Sequence, residues 1–163
     1  PNVGTGRYAG IGAPYGGDKA LFYGGQIGGG PGAQNMKNLV NSSGVVASDS
    51  AGGGPPQRER ASSEYGTGGT AILVYGEPGL SGSQLVNSSG VIASQVTRVG
   101  TKRYYASGVP YGGDKGVIAF GAVVTPYSAL NVSNLVNSSG VVATDTAGVG
   151  TARHGLGGAA CGE

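Results

Sequence analysis

The stretch Asn38–Asp49, NLVNSSGVVASD, returns as QLVNSSGVIASQ at Gln84–Gln95 and again as NLVNSSGVVATD at Asn134–Asp145. These copies lie 46 and 50 residues apart. A second motif, GTGRYAGIGAPYGGDK from Gly4, returns as GTKRYYASGVPYGGDK from Gly100, 96 residues on. Two separate motifs thus agree on one double step, and the chain reads as a tandem array with a unit of about 48 residues. In the middle copy the second motif has drifted to RASSEYGTGGTAILVYG, beginning at Arg60. The boundaries that follow are one repeat domain over 1–163: repeat 1 over 4–53, repeat 2 over 54–99, repeat 3 over 100–149, and 150–163 as the first strand of a fourth unit.

Within each unit the periodicity is that of short strands. KALFYGG, TAILVYG and KGVIAFG are apolar runs too short for helices, as expected of inner strands covered on both faces. NLV, the turn NSSG and VVASD read as a closing hairpin, with glycine supplying the left-handed position. Glycine and proline interrupt nearly every window long enough to hold a helical period. There are 36 glycines in 163 residues, so turns are frequent and the fold class is all-β, with four short strands per repeat. PYGGDK, at Pro14–Lys19 and Pro110–Lys115, comes close to a phosphate-binding loop when Gly12 and Gly108 are counted in. Such a loop needs Ser or Thr after its lysine, at a helix start; Ala20 and Gly116 stand there instead, before strand-like runs. GGD is therefore a hairpin turn.

Four-stranded units of this length in tandem point to propeller blades. An arginine opening a strand, an apolar strand ending in a glycine pair, and a hairpin before the next arginine resemble the kelch repeat. GGDKALFYGG with NLVNSSGVVATDTAGVGTAR is similar to the kelch-like repeats found in tandem in bacteriophage virion and fibre-type proteins and in some bacterial surface proteins. The kelch tryptophan is absent, and the second glycine of the pair is replaced in YGE and FGA. Three units are fewer than the four to eight blades of ordinary propellers. Three closures stay open: two chains sharing a six-bladed ring, a threefold β-trefoil-like arrangement, or a piece of a longer array.

Composition narrows the function. Charged residues are 11% and the net charge is +2, which leaves no basic stripe for nucleic acid. The sequence holds no run of about 18 apolar residues, the length needed to insert in a membrane as a helix. One histidine, His154, and one cysteine, Cys161, are too few for a zinc site. The pair lies seven residues apart without an orienting third group, so no catalytic, cofactor-binding or metal residue is assigned and no enzymatic activity is expected. His154 falls where other units carry Tyr8 and Tyr104, and Cys161 where they carry Tyr15 and Tyr111.

Four of the eight acidic residues are explained by repetition, Asp18 with Asp114 and Asp49 with Asp145. Arg7, Arg103, Arg153 and, in the drifted copy, Arg58 or Arg60 open the units; Asp49 and Asp145 are expected to pair with the arginine opening the following unit. Asn41, Asn87 and Asn137 fit a glycosylation pattern, but the turn alone accounts for them.

Tyrosines are the best contact groups, amphipathic and stiff. The candidate binding residues are Tyr8, Tyr104 and Tyr105, which flank the opening arginines, and Gln26, Asn35, Glu77, Tyr127 and Asn131, in the loops that differ among the copies: Gln26–Asn35, Glu77–Ser83 and Ala122–Asn131. The expected function is a structural or interaction module on a virion or cell surface, forming a homo-oligomer or binding neighbouring subunits, a receptor or a surface glycan. The alternative is a weak lectin with one site per repeat. The N-terminus lacks a signal peptide's basic and apolar regions.

Overall fold

In the computed structural model, residues 4–29, 32–77, 82–97, 99–148 and 150–160 are described, and among them the structure is strands and turns with no helix. Each repeat folds into its own four-stranded antiparallel meander. Repeat 1 gives β1 (Ile11–Tyr15), β2 (Lys19–Tyr23), β3 (Met36–Val40) and β4 (Ser50–Ala51). Repeat 2 gives β5 (Ala61–Tyr65), β6 (Thr70–Val74), β7 (Gly82–Val86) and β8 (Val96–Thr97). Repeat 3 gives β9 (Ser107–Tyr111), β10 (Lys115–Ala119), a side hairpin β11 (Ala122–Val124) and β12 (Tyr127–Ala129), then β13 (Val132–Val136) and β14 (Thr146–Ala147). Each four-stranded sheet draws its strands from one repeat in chain order, so no sheet mixes repeats as a threefold barrel would require.

Register follows from the turns. Tyr15 pairs with Lys19 and Tyr111 with Lys115, so GGD is the hairpin connection between the first two strands. Gly16 and Gly17 take φ of 63° and 82°, values that side chains adopt only with strain. In each NSSG turn the Asn side-chain oxygen accepts from two backbone amides; for Asn41 these are Ser43 at 3.0 Å and Val45 at 2.9 Å.

The sheets stack face to face in the order of the repeats. Ala13, Tyr15, Leu21 and Tyr23 of the first sheet pack on Ala71, Leu73, Val86 and Ile92 of the second. The other face of the second sheet offers Ile72, Val74 and Tyr75 to Ile118, Val136 and Val142 of the third. Among the described residues, only the middle sheet is covered on both faces, and only there is the inner strand buried without alternation, at Ala71–Val74. In β2 the pattern is Leu21 buried, Phe22 exposed, Tyr23 buried, because the outer face of the first sheet is open.

Three expectations are corrected. VVASD is not the fourth strand: Val46 makes a single bridge to Val40, and the fourth strand is the dipeptide that follows, Ser50–Ala51 pairing with Lys37 and Met36. Asp49 turns inward, as described below, and breaks the run. Residues 150–160 form no strand, although Arg153 bridges Leu130 and Gly155 donates to Tyr105; a strand needs a longer hydrogen-bonded neighbour than this segment finds among the described residues. The segment Ala122–Asn131, read as loop, contains the β11–β12 hairpin because Val123 and Val124 face Ser128 and Tyr127 across a two-residue turn.

Candidate functional site

The ion pairs between Asp49 or Asp145 and the opening arginines do not tie one unit to the next. Arg7 Nη1 lies 3.1 Å from Asp49 and Arg103 Nη1 3.6 Å from Asp145, each pair closing its own repeat, which corrects the expected pairing with the following unit. The reason is local: β4 and β14 run back along β3 and β13, which returns the aspartate to the start of the same unit. There Asp49 accepts from the Thr5 amide at 2.7 Å, the Thr5 hydroxyl at 2.8 Å and Asn38 at 2.9 Å, while Arg7 also reaches Asn38. The Thr5 amide, then the hydroxyl bonds, hold the Asp49 carboxyl far below its ordinary range. Around Asp145 the same clasp recurs with Thr101 and Asn134. Burial works against the charge of Asp145, but these bonds and Arg103 outweigh it and depress its pKa.

Repeat 2 solves the same problem differently. The equivalent of Arg7 and Arg103 is neither Arg58 nor Arg60 but Gln57, fully buried with both side-chain polar atoms unpartnered. The backbone fixes this register: Ala9, Glu59 and Tyr105 share a left-handed φ of 56°, 58° and 53° immediately before Gly10, Arg60 and Ala106. Arg60, three residues on from Gln57, sends its guanidinium to Gln84, the Leu73 carbonyl and, at 3.4 Å, the Gly82 carbonyl. Burial lowers its pKa to about 10, which leaves it cationic at neutral pH.

Rings cover these guanidiniums from the preceding unit. Tyr75 and Phe120 occupy one repeat position, again at positive φ, and lie 4.2 Å from the guanidinium carbons of Arg103 and Arg153. Glycine, Gly24, stands there in repeat 1, and Tyr23 instead lies 6.0 Å from Arg60. Ring and cation have both moved. The left-handed residues also form a ladder along the stack: Glu59 donates to the Ala9 carbonyl at 2.9 Å, Tyr105 to Glu59 at 3.4 Å and Gly155 to Tyr105 at 2.9 Å.

This ladder carries the candidate site. Non-glycine residues at positive φ are held at a cost of roughly 1–3 kcal/mol each, and here they bring the Glu59 and Tyr105 side chains together. Glu59 accepts from the Tyr105 hydroxyl at 2.9 Å and pairs with Arg58 at 3.5 Å. Arg58 in turn bonds Glu77 and, at 2.8 Å, Gln26. On the other side Tyr105 stacks at a tilt on His154, with centroids 6.0 Å apart, and His154 bonds the Tyr127 hydroxyl at 2.6 Å through Nε2. The result is one continuous strip from Gln26 through Arg58, Glu77, Glu59, Tyr105 and His154 to Tyr127, crossing all three repeats. Partial burial, then Glu59, raises the Tyr105 phenol pKa. Beside the strip a groove of about 450 Å³ follows the first strands, floored by Gly10, Gly12, Gly108 and Gly157.

Of the candidate residues named from sequence, Gln26, Glu77, Tyr105 and Tyr127 come together in this strip. Tyr8 is exposed and donates to the Gly28 carbonyl at 3.0 Å, next to Gln26 across a bridge. Tyr104 is buried under Lys102, with the ammonium 5.4 Å from the ring centroid. Asn35 bonds Gly54 and Gly52, and Asn131 bonds Gly150, equivalent connections that fasten loops to linkers. Cys161 lies outside the described residues, as do parts of the first two variable loops.

Glu59 and His154 were missed as members of a site, because aligning Arg60 with Arg7 misplaces Glu59 and hides its equivalence to Tyr105. Among the described residues no group of three or more His, Cys, Asp or Glu is placed to hold a metal ion. No protein-family model matches the chain, and no curated protein matches it.

Proposed function

We propose that this chain is a non-enzymatic structural and interaction module, a stack of kelch-like blades displayed on a virion or cell surface, which engages its partner through the strip from Gln26 to Tyr127. The observation that carries the reading is the strip itself. It joins aromatic faces, two carboxylates and a guanidinium across three repeats, and borders the loops in which the repeats differ, the surface on which repeat proteins vary their contacts. The meander order of each sheet and the face-to-face stacking support the blade reading, and the resemblance to phage and bacterial-surface repeats supports the location.

Tyrosine beside carboxylates suits both protein surfaces and sugars, because the ring gives apolar area and the hydroxyl and acids give directional bonds. Carbohydrate binding is therefore the second reading. It takes the form of one composite site, since Tyr105 and Tyr127 occupy different positions in their repeat. The test is binding of labelled chain to glycan arrays and to bacterial cells. Tyr105→Ala with Tyr127→Ala abolishes binding at unchanged melting temperature, and binding that survives this double change refutes the strip as the contact surface. Retention on cells without any glycan signal selects a protein receptor.

A further inference from the structure

The two ends of the stack expose the same surfaces that its inner joints bury. In the joints, Tyr15 and Leu39 of repeat 1 close over Gly90 of the next NSSG turn, and Tyr65 and Leu85 of repeat 2 close over Gly140. Repeat 3 carries the same two residues, Tyr111 and Leu135, with no further turn beneath them among the described residues, and both are exposed; Tyr111 is 40% exposed against 5% and 9% for Tyr15 and Tyr65. At the other end Gly44, the matching turn glycine of repeat 1, faces open space. Phe22 is 51% exposed, while its equivalents Leu73 and Ile118 are fully buried.

The polar contacts match in the same way. Turns hydrogen-bond from repeat to repeat, Gly16 to the Gly69 carbonyl at 2.8 Å and Gly66 to the Asp114 carbonyl at 2.7 Å. Gly112 at one end and the Asp18 carbonyl at the other occupy the corresponding donor and acceptor positions. Arg103 and Arg153 are covered by rings of the preceding repeat, whereas Arg7 borders a groove of about 700 Å³ that also takes in Tyr8, Phe22 and Asn38.

We infer that the open face of repeat 1 is an interface for repeat 3 of a second copy of this chain, joined head to tail by the joint already present twice within the molecule. Tyr111 and Leu135 of one copy close over Gly44 of the other, Phe120 covers Arg7, and Gly112 donates to Asp18. Segment 150–160 is the competitor in cis. It begins Gly-Thr-Ala-Arg where repeat 1 begins Gly-Thr-Gly-Arg, and it holds the first-strand seat on repeat 3 by the Phe120–Arg153 stack and the Gly155–Tyr105 bond. Residues 151–155 are exposed, so the segment is displaced when a whole four-stranded sheet competes with it. Such an interface is heterologous: it generates a closed ring or an open fibre, not an isologous pair.

This inference goes beyond the strip reading and is tested apart from it. The native mass of the 163-residue chain is measured by light scattering across a hundredfold dilution. Two exposed positions at opposite ends are then changed, Phe22→Asp and Leu135→Asp, with circular dichroism and melting temperature as the check on folding. The wild type is expected to grow in mass with concentration and each variant to remain monomeric. An equimolar mixture of the two forms a dimer and nothing larger, because it holds one intact end of each kind. Arg153→Ser, which loosens the competing segment, shifts assembly to lower concentration. A wild type that stays monomeric throughout overturns the inference, as do variants that assemble like the wild type or a mixture that recovers nothing. Tyr105→Ala with Tyr127→Ala removes the His154 contacts of the competing segment and therefore assembles at or below the wild-type concentration while losing partner binding, so failure of the strip reading and failure of this one give different results.

Discussion

Gly12 and Gly108 occupy one position of the repeat, on the first strands β1 and β9, and both have extended backbone that alanine adopts without strain. In open surroundings replacement by alanine stabilises by about 0.5–1 kcal/mol, since glycine loses more chain entropy on folding. At Gly12 an added Cβ meets only the Phe22 ring, at 3.8 Å, and the Leu21 carbonyl, at 4.0 Å, both ordinary contacts. At Gly108 the same atom would lie 2.6 Å from Ile118 Cδ1, 2.9 Å from the Ser62 carbonyl carbon, and nearer still to its oxygen. Carbon atoms rest at about 3.5–4.0 Å, so the second and third sheets must part by roughly 1 Å. The partner is backbone and does not rotate away. Overpacking of this kind costs about 1–3 kcal/mol, with looser contact across the Ile72–Ile118 core added to it. After the entropic gain, Gly108→Ala is expected to destabilise by about 2 kcal/mol and Gly12→Ala to stabilise by about 0.5 kcal/mol. Urea unfolding followed by circular dichroism, at a concentration where the chain is monomeric, reads both. Equal stability of the two variants, or a Gly12→Ala variant weaker than Gly108→Ala, would refute the face-to-face order of the sheets.

Tyr75→Leu uncovers the buried Arg103 and breaks the hydroxyl's 2.7 Å bond to Asn134, and is expected to cost about 2–4 kcal/mol; Phe120→Leu, over the exposed Arg153, costs about 0.5–1 kcal/mol by the same unfolding measurement. Gln57→Met removes two unpartnered buried polar atoms at nearly constant volume and raises stability by about 1–2 kcal/mol, seen as a higher urea midpoint at unchanged slope. Asp49 and Asp145 have folded pKa values below the ordinary 3.8, so their contribution is complete above about pH 4 and disappears as the pH falls through the folded values. Melting temperature therefore drops steeply below pH 4, and Asp49→Asn with Asp145→Asn flattens that drop; an unchanged acid limb would remove the clasps as its cause. The Tyr105 phenol titrates above the usual value of 10.0, and Glu59→Gln brings the absorbance titration down toward it.

Sequence alone determined the all-β class, the repeat and the turns, because each rests on chemistry within a few residues. NSSG forms its turn through the Asn41 side chain wherever it occurs, and glycine in GGD meets its φ requirement in any surroundings. Part of the site was also legible, since Gln26, Glu77 and Tyr127 lie in segments that vary between copies and Tyr105 flanks an opening arginine. What joins them was not. Arg60 looks like a displaced Arg7, and only the left-handed positions shared by Ala9, Glu59 and Tyr105 reveal that Gln57 is the equivalent residue and that Glu59 lies against Tyr105. Tertiary structure likewise decided that Asp49 and Asp145 return to their own units, because the two-residue fourth strand folds back along the third. It also decided the fate of the inner strands. The apolar runs of repeats 1, 2 and 3 read alike, but Leu73 is enclosed between two sheets and Phe22 is left facing outward, since burial depends on what stacks next and that information lies in no single repeat.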